Sequence, residues 1–229
     1  MWTSARSQRA VALGDHLMDA ERVERVPLAS GVDGTHQTID VMAKAAMGAF
    51  GAGSGRIRNL AVQIVRDAGV PERDKRGEVV AVHEWVKKHL RYVKDPLWYE
   101  FVTYPETLAF ERNDGDCDDH VTLEAALLGA LGIPTRFVVY AFKNASQFAH
   151  VAMHANVDNQ WMPLDPIVKH QPAGWEVPDA TTRHVYGVNT PDGPQKTGRN
   201  VGEWIALGVG ILALWRIVAA MLKKAEHRL

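Results

Sequence analysis

Apolar positions step through the first half of the chain at helical spacing. Ile39, Met42, Ala43, Ala46, Met47 and Phe50 recur as i, i+3, i+4, i+7, i+8 and i+11. Ile57, Leu60, Ala61, Ile64, Val65 and Ala68 repeat that spacing, and so do Val82, Trp85, Val86, His89, Leu90 and Val93. Each stripe is one apolar helix face, so three helices are predicted to pack on a shared core. Gly51-Ala52-Gly53-Ser54-Gly55-Arg56, between the first two, lacks the Lys-Ser/Thr ending of a phosphate loop and follows no strand pattern. It reads as a turn. Residues 1–35 are polar and irregular, with Pro27, Gly31 and Gly34 as breakers, and read as an arm. Asp95-Pro96 ends the third helix, because the residue before proline avoids the helical region. The aromatic loop that follows holds Trp98, Tyr99, Phe101 and Tyr104. It could wall a cleft or fill a core.

A fourth helix is marked at both ends. Asp116 suits an N-cap, with Asp119 three residues on as in a capping box. Gly132 suits the residue just past the helix, and Pro134 follows. Cys117 therefore falls in the first helical turn. The pattern then turns β-like. Phe137-Val138-Val139-Tyr140 is rich in strand formers. From His150 to Val157, Val151, Met153 and Val157 share one face, and His150, His154 and Asn156 the other. Asp158-Asn159 makes a turn, Trp161 to Leu164 returns, and Pro166 stops that strand with Asp165 at its end.

These elements divide the chain into an arm (1–35), a helical region (36–75), a core (76–186), a linker (187–200) and an apolar C-terminal helix with a basic end (201–229). From Val201 to Leu222 only Glu203 and Arg216 are charged. Such a helix would be about 33 Å long, close to the thickness of a bilayer core. Gly202, Ala206 and Gly210 give it a face for close helix contact. Lys223, Lys224 and Arg228 beyond it favour a cytoplasmic end, yet Ala10–Leu13 is too short for the apolar core of an export signal. A membrane span and a helix buried in a multisubunit assembly such as a virion both remain open. Either places the protein with a membrane or a virion rather than free in the cytoplasm.

Composition narrows the field. The 229 residues are 46% hydrophobic and 23% charged, an ordinary globular balance. A formal net charge of −1 gives no basic excess for nucleic acid. The single cysteine excludes an intramolecular disulfide, and a lone cysteine is by default a small buried hydrophobe.

Context changes that default. A thiol attacks as its thiolate, which a helix N-terminus, a neighbouring imidazole and partial exposure all favour. The caps around Cys117 supply the first, while Asp116, Asp118 and Asp119 oppose it unless they turn toward backbone amides. His150 opens one strand and Asp165 ends the next, at similar distances from the Asp158-Asn159 turn, so a hairpin brings them together. Cys117 as nucleophile, His150 as base and Asp165 as orienter make a catalytic set. The adjacent acids read as caps rather than metal ligands, no calcium-loop spacing is present, and neither metal nor cofactor is expected. His154 reads as a supporting or surface residue.

Taken together, Gly115-Asp116-Cys117-Asp118-Asp119, the Ala-Leu-Gly-Ile-Pro-Thr-Arg run at 130–136, His150-Val151 and Trp161-Met162-Pro163-Leu164-Asp165-Pro166 resemble the transglutaminase-like superfamily over about residues 76–168. Tyr92-Val93-Lys94-Asp95-Pro96 and Tyr104-Pro105-Glu106-Thr107-Leu108 are similar to its phage and prophage branch. The resemblance implies an α+β, papain-like core, with a nucleophile helix packed on an antiparallel sheet. It implies acyl transfer from a protein or peptide substrate: Cys117 attacks a carboxamide or peptide carbonyl, His150 acts as base and then acid, and Asp165 orients it. Water or an amine would accept the acyl group. The alternative is a virion, assembly or membrane-associated protein that keeps the fold as a scaffold, which the arm and apolar tail favour.

Overall fold

Each of the three helical stripes folds as a helix in the computed structural model, which describes residues 23–27, 32–95, 99–142 and 148–190. They are α1 (Val32–Met47), α2 (Gly55–Asp67) and α3 (Lys75–His89). Caps fix two of the starts. The Ser54 hydroxyl accepts from the amides of Arg56 and Ile57, and Asp74 accepts from Gly77 at 2.8 Å. Ser54 also donates to the buried Glu106, which ties the glycine-rich turn to a helical turn at Pro105–Thr107.

Two helix boundaries differ from the pattern. α1 starts at Val32 and takes in Gly34, inside the stretch expected to be an irregular arm. α3 stops at His89, well before Asp95-Pro96, and Leu90 is already extended at φ −93°, ψ 139°. The chain there becomes β2 (Arg91–Tyr92), which pairs in parallel with β4 (Asp114–Gly115). Val93, counted in the apolar stripe, is instead 40% exposed. The arm also contains β1 (Val23–Pro27), antiparallel to β3 (Tyr99–Thr103), so much of the expected aromatic loop is a strand.

The second half forms α4 (Cys117–Ala130) and a four-stranded sheet of β5 (Thr135–Phe142), β6 (His150–Val157), β7 (Gln160–Leu164) and β8 (Ala180–Gly187). The strand order is β7-β6-β5-β8 and all neighbours are antiparallel. Asp158 and Asn159 both take positive φ, 51° and 64°, which suits the tight turn between β6 and β7. Phe137, Val139, Val151 and Met153 pack into the main core with α1 to α4. Val138, Tyr140, Phe142 and Ala152 form a second cluster with Val177, against which Trp175 packs. Val177 and Trp175 belong to the connection from β7 to β8, so that connection covers the sheet's other face. Burial on both faces leaves His154 only 3% exposed, not at the surface.

β8 carries no clear strand pattern of its own, and the chain just beyond it is anchored. Asn189 accepts from the Thr135 amide at 2.6 Å and donates to the Ile133 carbonyl at 3.0 Å. Residues 187–189 are thus tied to the start of β5. Residues 191–200 of the linker and the apolar segment at 201–229 lie outside the described residues. Among the described residues no helix is long and apolar enough to cross a membrane.

Candidate active site

α4 begins as its sequence demands. Asp116, at φ −97° and ψ −158°, caps it by accepting from the Asp118 amide at 3.3 Å. Cys117 is the first helical residue, partly exposed and packed against the main core. The capping box does not form. Asp119 turns away from the helix start and accepts from the Thr103 amide at 2.7 Å, which clamps α4 to β3. That clamp explains Gly115: a Cβ there would lie 2.5 Å from the Asp119 Cβ, too close for any larger residue. At the far end Gly132, at φ +76°, donates to Gly129, and Ile133 donates to Leu128 at 3.0 Å. This is a Schellman motif, which stops the helix before β5. Every residue from Asp118 to Leu128 is buried, including a His83–Glu124 pair at 2.9 Å that ties α3 to α4.

The acids near Cys117 are less negative than their number suggests. Burial pushes the Asp119 carboxyl well above the usual carboxylate range, and burial followed by the Asp116 charge raises Asp95 to about 6. Asp116, Asp118 and Asp119 offer oxygens within 4.8 Å of one another, a spacing that could suit a cation. Each also accepts from a backbone amide, as caps and clamps do.

His150 and Asp165 meet across the hairpin, with His150 Nε2 2.7 Å from Asp165 Oδ2. Asp165 is 4% exposed, and its other oxygen accepts from the Ile167 amide at 3.3 Å. Bonding through Nε2 leaves Nδ1 on the opposite side of the ring. The imidazole stacks beside Tyr140, with centroids 6.1 Å apart and an interplanar angle of 23°. Tyr140 donates to Glu176 Oε1 at 2.5 Å, and Glu176 also pairs with Arg183 at 3.3 Å. Arg136 lies over the Trp161 ring and donates to His154 Nδ1 at 2.9 Å, which leaves the neutral ring's proton on Nε2, toward Glu176. Burial lowers the His154 pKa to about 4.

Of the three candidates from sequence, His150 and Asp165 are joined directly, and Cys117 stands at the head of the helix that packs on β6. His120, one turn further along α4, turns its Nε2 toward the Arg91 carbonyl at 3.4 Å. Burial holds its pKa down at about 4, so it is a poor base at neutral pH. Sequence reasoning passed over His120, although its i+3 spacing from Cys117 was visible.

Residues 58–166 match the family model of the transglutaminase-like superfamily, and all three candidates lie within that span. No curated protein is matched by the chain. Among solved structures it is similar to a candidate cysteine protease from Cytophaga hutchinsonii, with 23% identity over 58% of this chain and 46% of that one, at a TM-score of 0.38. It is also similar to the periplasmic domain of TgpA from Pseudomonas aeruginosa, bound to ethylmercury, with 20% identity over 58% and 50% at 0.38. Calcium-bound LapG of Legionella pneumophila shows 16% identity over 69% and 98% at 0.39. The chain thus spans about half the length of the first two.

Proposed function

We propose that this protein is a cysteine-dependent acyl-transfer enzyme of the transglutaminase-like superfamily, acting on a peptide or carboxamide. The observation that carries the proposal is the 2.7 Å bond between His150 Nε2 and a buried Asp165. That bond fixes the orientation of the imidazole, as a general base requires. In this reading His150 Nδ1 takes the proton of Cys117 Sγ. The thiolate attacks the carbonyl carbon, and the amine leaves with the proton that His150 returns. Water or a second amine then attacks the thioester, frees the acyl group and restores the thiol. The Cys117 amide at the head of α4 supplies one hydrogen bond to the oxyanion. The finer resemblance to phage and prophage members rests on the Tyr92–Pro96 and Tyr104–Leu108 segments and belongs to the same proposal.

Alkylation of Cys117 by iodoacetamide across pH tests the pairing. The expected outcome is fast labelling at pH 6 that His150→Ala reduces at least about tenfold, because the thiolate loses its cationic partner. An ordinary thiol profile, unchanged by His150→Ala, would instead leave the chain as a scaffold.

A further inference from the structure

We infer that Tyr140 is a positioning residue for His150, held in place for that task by Glu176. The inference rests on the acyl-transfer reading above, in which His150 Nδ1 takes the Cys117 proton.

The lone pair on Nδ1 lies in the plane of the imidazole, so the tilt of the ring decides where it points. Asp165 holds the ring by one edge, at Nε2. A single bond at an edge leaves the ring plane unfixed. A flat contact on the face fixes it, and Tyr140 makes that contact. The two rings lie within 23° of parallel with centroids 6.1 Å apart, as in an offset-stacked pair. The sheet builds the contact directly, because Tyr140 on β5 is the cross-strand partner of His150 on β6.

Tyr140 is itself held at its far end. It is 1% exposed, and its hydroxyl donates to Glu176 Oε1 at 2.5 Å. Burial, and after it the bond to Glu176, push the phenol well above its usual range, so it stays the donor. The other Glu176 oxygen lies 3.3 Å from Arg183, which is the cross-strand partner of Tyr140 on its β8 side. His150, Tyr140 and Arg183 therefore stand in one row across three strands, and Glu176 ties the last two together. Trp175 and Val177, on either side of Glu176, pack with the apolar cluster that contains Tyr140, which seats the carboxylate. Glu176 and Arg183 lie beyond the residues 58–166 that match the family model, so the lock belongs to the connection from β7 to β8 and to β8 itself.

The test reads the reaction of Cys117 with iodoacetamide in the full chain at two pH values. At pH 6 a thiolate needs the imidazole, whereas at about pH 9.5 a thiol ionises unaided. Glu176→Ala and Tyr140→Phe each break the lock. Each is expected to slow labelling at pH 6 by about 3- to 10-fold and to leave the rate at the higher pH within about twofold of the parent. The double variant should be no slower than the slower single one, because both remove the same bond. Glu176→Gln keeps an acceptor for the hydroxyl and should label at pH 6 within about twofold of the parent. Glu176 is 39% exposed and Tyr140→Phe keeps the ring, and a thermal unfolding scan checks that each variant folds. Parental labelling at pH 6 by Glu176→Ala and Tyr140→Phe would overturn the inference. So would an equal fall at both pH values, because the loss would then come from a disturbed fold rather than from His150. A Glu176→Gln variant as slow as Glu176→Ala would overturn it too, by showing that the charge of Glu176 acts and not its bond to Tyr140. Slow parental labelling at pH 6, or labelling indifferent to His150→Ala, would bring down the acyl-transfer reading and this inference with it. Fast labelling that needs His150 but neither Tyr140 nor Glu176 removes only the inference.

Discussion

An imidazole bonded through Nε2 to an ionised carboxylate holds its neutral proton on Nε2 and presents a lone pair at Nδ1. In His150 that lone pair is the useful group, because the other side of the ring is occupied by Asp165. An asparagine at 165 would keep the shape but could donate to Nε2, which favours the wrong tautomer. Asp165→Asn is therefore expected to leave folding intact and cut Cys117 alkylation at pH 6 by about 10²-fold or more. Labelling at the parental rate would show that Asp165 is only a buried anchor. Asp119 offers a contrast at the same scale. Its place in the sequence suggested a cap, yet its carboxyl leaves the helix for Thr103, and Gly115 is the space that this turn requires.

At the scale of elements, what was legible had its signal in neighbouring residues. Asp116, Gly132 and Pro134 bracket α4, and Asp158-Asn159 with Pro166 bracket the hairpin that joins His150 to Asp165. What was missed is defined by distant partners. β2 and β4 are two residues each and exist only as a pair, so neither carries a pattern of its own. β8 places Arg183 and His184 between its apolar residues, and its register comes from β5. Asn189 closes that register by holding both Thr135 and Ile133. Asn189→Ala should cost about 1–3 kcal/mol, because a buried amide and carbonyl lose their partner. Urea denaturation at constant slope would read the loss, and an unchanged midpoint would show that the anchor is idle.

For the molecule as a whole, buried titrating groups set a pH dependence with two opposing parts. His120 and His154 have pKa values lowered to about 4, so the stability they contribute is full above the ordinary histidine value and is lost as pH falls from about 6.5 to 4. Asp95 is raised to about 6 and works the other way: its contribution is full below the ordinary carboxylate value and is lost as pH rises through 6. Asp95→Asn keeps an oxygen for the Phe101 amide and removes the buried charge. It should stabilise the protein by on the order of 1 kcal/mol at pH 8 and by nothing at pH 4. Thermal midpoints of parent and variant across pH check both statements. Equal midpoints at pH 8 would mean that water reaches the Asp95 carboxylate freely.

The strand order also sets a timetable for a chain made from its N-terminus. β5 is an inner strand, but its neighbour β8 is the last strand of the sheet to be synthesised. A growing chain can close the β6–β7 hairpin, with His150 beside Asp165, while one side of β5 still offers unpaired amides and carbonyls. Phe137 and Val139 then lie on an open edge, the kind that recruits a second chain. The hairpin that joins His150 to Asp165 can thus be complete before the molecule is sealed. The interval until residues 180–187 emerge is when a newborn chain most needs protection from its neighbours.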